Sequence, residues 1–162
     1  MILVALGANL PSPIHGGPRQ TLEAALVALD EAGLRVAARS AWYETAPVPV
    51  SDQPWYVNGV ARIETAFGPA DVLQTLHRIE AAFGRVREAV NAPRVLDLDL
   101  LAHGGQVSTG WPVLPHPRLH ERAFVLQPLA DVAPDWRHPV LGLDIATMLA
   151  RIGPEQTTRR LP

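Results

Sequence analysis

Two aspartates, Asp97 and Asp99, stand inside the apolar run PRVLDLDLL, residues 93–101. In an extended strand alternate side chains share a face. The two carboxylates then lie on one face, roughly 7 Å apart by strand rise, with Leu96, Leu98 and Leu100 on the other. Asp is depleted in strands, and like charges on one face repel. Two readings account for the pair: solvated carboxylates on an edge strand, paired with arginines, or a divalent-metal site. Hard Mg²⁺ takes one or two carboxylates and completes its shell with water and phosphate oxygens. Two such ions about 3.5–4 Å apart fit between carboxylates at this separation. The D-x-D spacing alone does not choose between the readings.

Arginines gather around the pair: Arg85, Arg87 and Arg94 before it, Arg118 and Arg122 after it. Taken singly each is a solvated surface charge. Clustered beside two carboxylates they suit a polyphosphate clamp, in which guanidinium forks bind phosphate oxygens in bidentate fashion. Tyr56 and Asn58, at i and i+2, share a strand face. They read either as a core tyrosine and a strand-end amide, or as a stacking and edge-reading pair for a flat heterocycle. Phe124 alone reads as a core residue. His116, His120 and Glu121 have the spacing of a zinc-binding helix, but Pro117 interrupts it and no third ligand is evident. His116 is better read as a hydrogen-bond donor to phosphate. Glu80 lies one position off an apolar helical row, where a partly exposed carboxylate is expected.

Composition narrows the chemistry. The chain has 162 residues, 48% hydrophobic and 19% charged, which predicts a single globular domain. It has no Cys, so thiol nucleophiles and zinc–thiolate sites are excluded. It also has no Lys; all 14 basic residues are Arg. That excludes a Walker-type phosphate loop, a protein-kinase lysine and Schiff-base chemistry. A net charge of −2 argues against a duplex nucleic-acid binder. No apolar run approaches the roughly 20 residues of a membrane helix, and the N-terminal MILVALGANLP reads as a strand rather than a signal peptide. A cytoplasmic protein with no membrane partner is the expectation.

The elements that must position these residues follow from periodicity and punctuation. Residues 2–6 read as a buried strand ending at Gly7. A helix is expected from Thr21, as its cap, to Gly33, as its stop, with Leu22, Leu26 and Leu29 at helical spacing. Residues 34–45 read as one second strand and 55–65 as a third. Gly68-Pro69 opens a second helix that buries Val72, Leu76, Ile79 and Phe83 and ends at Gly84. The Asp97–Asp99 stretch is strand four. The order βαββαβ predicts an α+β, ferredoxin-like sheet, mainly antiparallel, with helices on one face. A C-terminal extension follows, with short helices, the last one capped by Asp144.

Several stretches together resemble one family. ALGANL, YETAPV, DQPWYVNGV, RIEAAFGRVR, APRVLDLDLL and LPHPRLHERAFVLQPL are similar in order and spacing to 6-hydroxymethyl-7,8-dihydropterin pyrophosphokinase, which moves pyrophosphate from ATP to a pterin alcohol. The resemblance runs from about residue 3 to residue 134.

It implies a monomer, ATP as co-substrate and two Mg²⁺. Asp97 and Asp99 match metal ligands, Asp97 also lying near the pterin hydroxymethyl group. Arg85, Arg87, Arg94 and Arg122 match arginines of a mobile loop and phosphate site, Arg85 and Arg94 with a catalytic share. Tyr56 and Phe124 match an aromatic sandwich around the pterin. Asn58 matches the side chain at the pterin edge, helped by backbone around Thr45 and Val48. His116 matches a nucleotide contact, and Leu73, His77, Glu80 and Leu100 fall near the ATP. Departures are also visible. AVNAPR puts Val90 and Asn91 where the family usually has a basic residue and often Trp. His77 stands where relatives carry Gln, Pro117 where some carry Tyr, and Ala46 where Pro is common. The other readings open to the sequence are a non-catalytic ferredoxin-like ligand-binding module and another Mg²⁺-dependent nucleotidyl transferase.

Overall fold

The structure, a computed structural model, describes residues 1–46, 52, 54–84 and 95–162. Val48, Arg85, Arg87, Val90, Asn91 and Arg94 lie outside the described residues.

Strand β1 (Ile2–Ala8) is the middle of the molecule because both its faces are apolar. It pairs antiparallel with β4 (Tyr56–Glu64) on one side and with β5 (Asp97–His103) on the other. Ile2, Val4, Leu6 and Ala8 point into a core shared with two helices, α1 (Pro18–Glu31) and α2 (Pro69–Ala82). Leu3 points the other way, into a second core built on α3 (Ala123–Val132) and α4 (Ile145–Ala150). The two helices of the βαββαβ unit do share one face, as expected. The C-terminal extension covers the opposite face, so the sheet is sandwiched.

The sheet has six strands; with β3 (Tyr43–Thr45) and β6 (Thr158–Arg160) the order is β5-β1-β4-β3-β6, and β2 (Arg35–Arg39) pairs with β4 beside β3. Every pairing is antiparallel. The expected single strand over 34–45 is therefore two. Arg39 pairs with Ala61 and Tyr43 with Asn58, so four steps on one strand oppose three on the other. The extra residue is a bulge with an identifiable cause. Ser40 ties off the ladder, its N–H donating to the Val60 carbonyl and its hydroxyl accepting from the Val60 N–H. Trp42 turns into the α1–α2 core, donating its indole N–H to Glu23 at 2.9 Å. Gly59 lies opposite because any Cβ there would run into the Trp42 ring.

Two further differences concern ends. Helix α1 begins a turn before Thr21: Gly17 is the N-cap and Pro18 the first helical residue. Proline fits that position because its fixed φ is helical and its missing N–H would be unpaired anyway. Thr21 is buried inside the helix, its hydroxyl donating to the Gly17 carbonyl. Strand β6 (Thr158–Arg160) was not expected; it borrows its pairing from β3. The stops and caps at Gly33 (φ +89°), Gly84 (φ +90°) and Asp144 stand as read, and Asp144 accepts from the Thr147 N–H at 2.8 Å.

Candidate active site

The α3 face of the sheet is not covered along its whole length. Going along β1, Leu3 is in the core, but the next residues on that face are Ala5 and Gly7. Gly7 pairs with Asp97 on β5 and Asn58 on β4; Ala5 pairs with Asp99 and Val60. Small side chains on the central strand therefore leave a bare floor between the two aspartates and the amide. Phe124 and Val125, at the start of α3, close the cleft from above. Asp97, Asp99, Asn58 and Phe124, which lie far apart in sequence, line this one cleft with Ala5, Leu6, Gly7, Gly59 and Val125. It is a narrow cleft, partly open to solvent.

The amide is held in one orientation. Asn58 and Thr45 are both buried, and the Asn58 Nδ2 group donates to Thr45 Oγ1 at 2.8 Å. That leaves Oδ1 turned toward Gly7, where a Cβ would sit 2.7 Å from it. Gly7 is required here for lack of bulk; its backbone is ordinary strand. Tyr56 is on the same strand face, two residues before Asn58, and pairs in register with Thr45. It is half-buried, beyond the residues that line the cleft.

The cationic side comes from the segment leading into α3. Arg122, its N-cap, lays its guanidinium over the Phe124 ring, 5.4 Å from the centroid. Burial lowers the Arg122 pKa, while the carboxylates of Asp99 and Asp97 act in the opposite direction. His116 is pushed down to about 4 by burial, then by Arg122, with Asp97 opposing and Arg118 adding to the fall. It is therefore neutral at physiological pH. Its Nδ1 accepts from the Arg118 N–H at 3.2 Å, so the ring proton is assigned to Nε2, which makes the ring a donor. The His116 N–H donates to the Leu101 carbonyl, which fastens this segment to β5. Arg122 and His116 thus join Asp97 and Asp99 in one electrostatic neighbourhood.

The other residues tied to the nucleotide lie elsewhere. The Leu100 side chain is in the α1–α2 core, on the face away from the carboxylates, and Leu73 packs against that core. His77 faces Trp111 with ring centroids 6.4 Å apart. Glu80 is not the partly exposed carboxylate that its helical position suggests. It is 1% exposed and accepts from the Leu98 N–H at 2.7 Å, the peptide between the two aspartates. Sequence reasoning also missed Ala5 and Gly7. Their signal was the drop to small residues on alternate positions of an otherwise bulky apolar strand.

Among the described residues no three His, Asp or Glu side chains are grouped to hold a metal by themselves. A cation at Asp97 and Asp99 would therefore take most of its shell from water or from substrate oxygens. That donor set suits Mg²⁺ rather than a closed structural zinc site.

Residues 3–134 match the family model described as 7,8-dihydro-6-hydroxymethylpterin-pyrophosphokinase. The chain is 46% identical over 128 residues to a 2-amino-4-hydroxy-6-hydroxymethyldihydropteridine pyrophosphokinase of Methylorubrum extorquens, covering 78% of this chain and 80% of that one. It is 43% identical to the protein of the same description in Pseudomonas aeruginosa, over 99% of this chain and 96% of that one. The folic acid synthesis protein fol1 of Pneumocystis carinii is 35% identical over 93% of this chain, which spans 20% of that longer protein.

Proposed function

The chain belongs to the 7,8-dihydro-6-hydroxymethylpterin-pyrophosphokinase family, and from that premise we propose how its own residues carry the reaction. The enzyme transfers pyrophosphate from ATP to 6-hydroxymethyl-7,8-dihydropterin in folate biosynthesis. The pterin ring lies between Tyr56 and Phe124. The Asn58 amide, oriented by Thr45, reads the ring edge, with backbone near Thr45 and Val48 completing that edge. The hydroxymethyl oxygen, beside Asp97, attacks the β-phosphorus in line and gives up its proton to solvent. The bond from that phosphorus to the α-phosphate oxygen breaks, and AMP leaves.

Asp97 and Asp99 would hold two Mg²⁺, whose charge would offset that of the phosphates and of the attacking and leaving oxygens. Arg122, its guanidinium over the Phe124 ring and beside the two carboxylates, binds the phosphates. His116, as a neutral Nε2–H donor, adds a hydrogen bond to the nucleotide without adding charge. Arg85, Arg87 and Arg94 supply further guanidinium groups, Arg85 and Arg94 with a catalytic share. Leu73 and His77 would border the nucleotide at the β5 edge of the sheet, while the buried Glu80 and Leu100 hold β5 in place from the α1–α2 core. Desolvating these groups around the phosphates strengthens each interaction, so positioning and electrostatics do the catalytic work. The protein works as a single-domain monomer in the cytoplasm.

The observation that carries these roles is the cleft itself: both carboxylates, the fixed amide and Phe124 meet over the small floor of β1. Product analysis tests them. ATP, Mg²⁺ and the pterin alcohol should give AMP and the pterin diphosphate in equal amounts. ADP as the nucleotide product, or free pyrophosphate without pterin diphosphate, would overturn the mechanism.

A further inference from the structure

Helix α3 has no side-chain cap of its own: its N-cap is Arg122, whose side chain makes no capping bond. The first amide of the helix is nevertheless paired. Gln156 Oε1 accepts from the Ala123 N–H at 2.9 Å, and Gln156 Nε2 donates to the Glu121 carbonyl at 2.7 Å. Arg122 is extended, with φ −119° and ψ 108°. In an extended residue the preceding carbonyl and the following N–H point to the same side. The Gln156 amide therefore grips Arg122 as a neighbouring strand would, closing both bonds across that one residue. Arg122 and Phe124 flank the amide it holds.

The chain then runs directly to the opposite wall. Thr158 pairs with Thr45, Arg159 with Glu44 and Arg160 with Tyr43, and the Leu161 N–H donates to the Trp42 carbonyl. Thr45 is the residue that orients Asn58 and pairs with Tyr56. One short stretch thus touches the backbone behind both sides of the cleft, and it lies outside the residues 3–134 that match the family.

We propose that Gln156 is a positioning residue for Arg122 and Phe124, and that the stretch from Gln156 to Leu161 is a strap that sets the spacing between the Phe124 wall and the Asn58–Tyr56 wall. The inference rests on the pterin-binding role given above to Phe124. A ligand between the walls then meets a helix start that the Gln156 amide holds in one place. Without the Gln156 fork, α3 keeps its packing through Val125, Leu126 and Leu129 but loses the registration of its first turn.

Binding of 6-hydroxymethyl-7,8-dihydropterin in the presence of a non-hydrolysable ATP analogue and Mg²⁺ tests this, measured by calorimetry for three variants. Gln156→Ala removes both bonds; Gln156→Glu keeps the acceptor and loses the donor. Asp144→Ala removes the α4 cap in the same C-terminal part, a comparable structural loss whose bond, to the Thr147 N–H, touches neither wall of the cleft. Gln156→Ala should weaken pterin binding about tenfold, the scale of one or two hydrogen bonds. Gln156→Glu should fall between it and the wild type, and Asp144→Ala should stay within about twofold. Combining Gln156→Ala with Phe124→Ala should give less than the product of the two effects. Equal, small effects of Gln156→Ala and Asp144→Ala, with Phe124→Ala damaging, would overturn the strap alone. No effect of Phe124→Ala would overturn the pterin role and the strap together. If Gln156→Ala does not fold, the Gln156→Glu variant decides by the same comparison.

Discussion

At the residue scale the site sets charge against space. Asp97 and Asp99 share a face on an edge strand, in the electrostatic neighbourhood of Arg122. Asp99→Ala should leave a folded protein. It should lower pyrophosphoryl transfer by roughly three powers of ten or more, since charge stabilisation is the main catalytic term. Near-normal turnover in Mg²⁺ would remove Asp99 from the site. Gly7→Ala acts through space alone. Its new Cβ would sit 2.7 Å from Asn58 Oδ1, so the amide must swing and lose Thr45. Pterin affinity should fall by about tenfold or more while ATP-analogue affinity holds within about twofold; equal losses for both ligands would contradict the division of the cleft.

His116 is the titratable counterpart. Its folded pKa is about 4, below the unfolded value near 6.5. The native state holds the neutral ring, and the unfolded chain takes up the proton first as pH falls. The stability this provides is complete above about pH 6.5 and is lost as pH drops toward 4. In the metal-free protein, the His116 ring should show no titration by NMR between pH 5 and 8. Urea unfolding of His116→Asn should lose less stability between pH 7 and 5 than the wild type does. A ring titrating near 6.5 would show that burial does not govern this histidine.

At the scale of elements, what joins β5 to the rest matters more than β5 itself. Glu80 reaches from α2 to the Leu98 N–H, fixing the peptide between the metal-binding candidates from the face opposite to them. Glu80→Ala would leave that buried N–H without this acceptor and open a void, for a cost of about 1–3 kcal/mol. A guanidinium-chloride midpoint unchanged from the wild type would show the bond to be dispensable. The elements also mark how far sequence alone could be read. The D-x-D alternation, the Gly68-Pro69 start and the Asp144 cap were legible because each is a local rule. The bulge at Ser40–Trp42 was not, since it depends on Trp42 finding Glu23 on α1 and on Gly59 lacking a side chain. Strand β6 is short and polar and exists only because β3 offers an edge. Glu80 looked like a surface carboxylate because helical spacing says which face a residue is on, not whether another strand supplies an N–H. Phe124, a core residue by composition, became a cleft residue through the position of α3, which no local pattern states.

At the scale of the whole molecule, the chain is a sheet with two separate cores, and the family match covers one of them more fully than the other. Residues 3–134 include α1, α2 and every part of their core except Ile2 and Leu161. The α3 core is different. Ile145 and Met148, both buried, complete it from beyond residue 134, and β6 closes the sheet edge at β3. A chain ending at residue 134 would keep all the cleft side chains named above but strip that cover from α3. Losing two buried side chains of this size costs roughly 2–5 kcal/mol each, against a whole-domain stability of about 5–15 kcal/mol. The truncated chain should therefore show no cooperative thermal transition and expose apolar surface to a hydrophobic dye, with pterin binding lost as a consequence. The full chain, by contrast, should melt in one step that rises with Mg²⁺, ATP analogue and pterin together, because binding to the native state adds to its stability by mass action. A truncated chain that melts cooperatively and binds the pterin would mean that the α1–α2 core alone sustains the sheet, and that α3 docks without α4 to hold it.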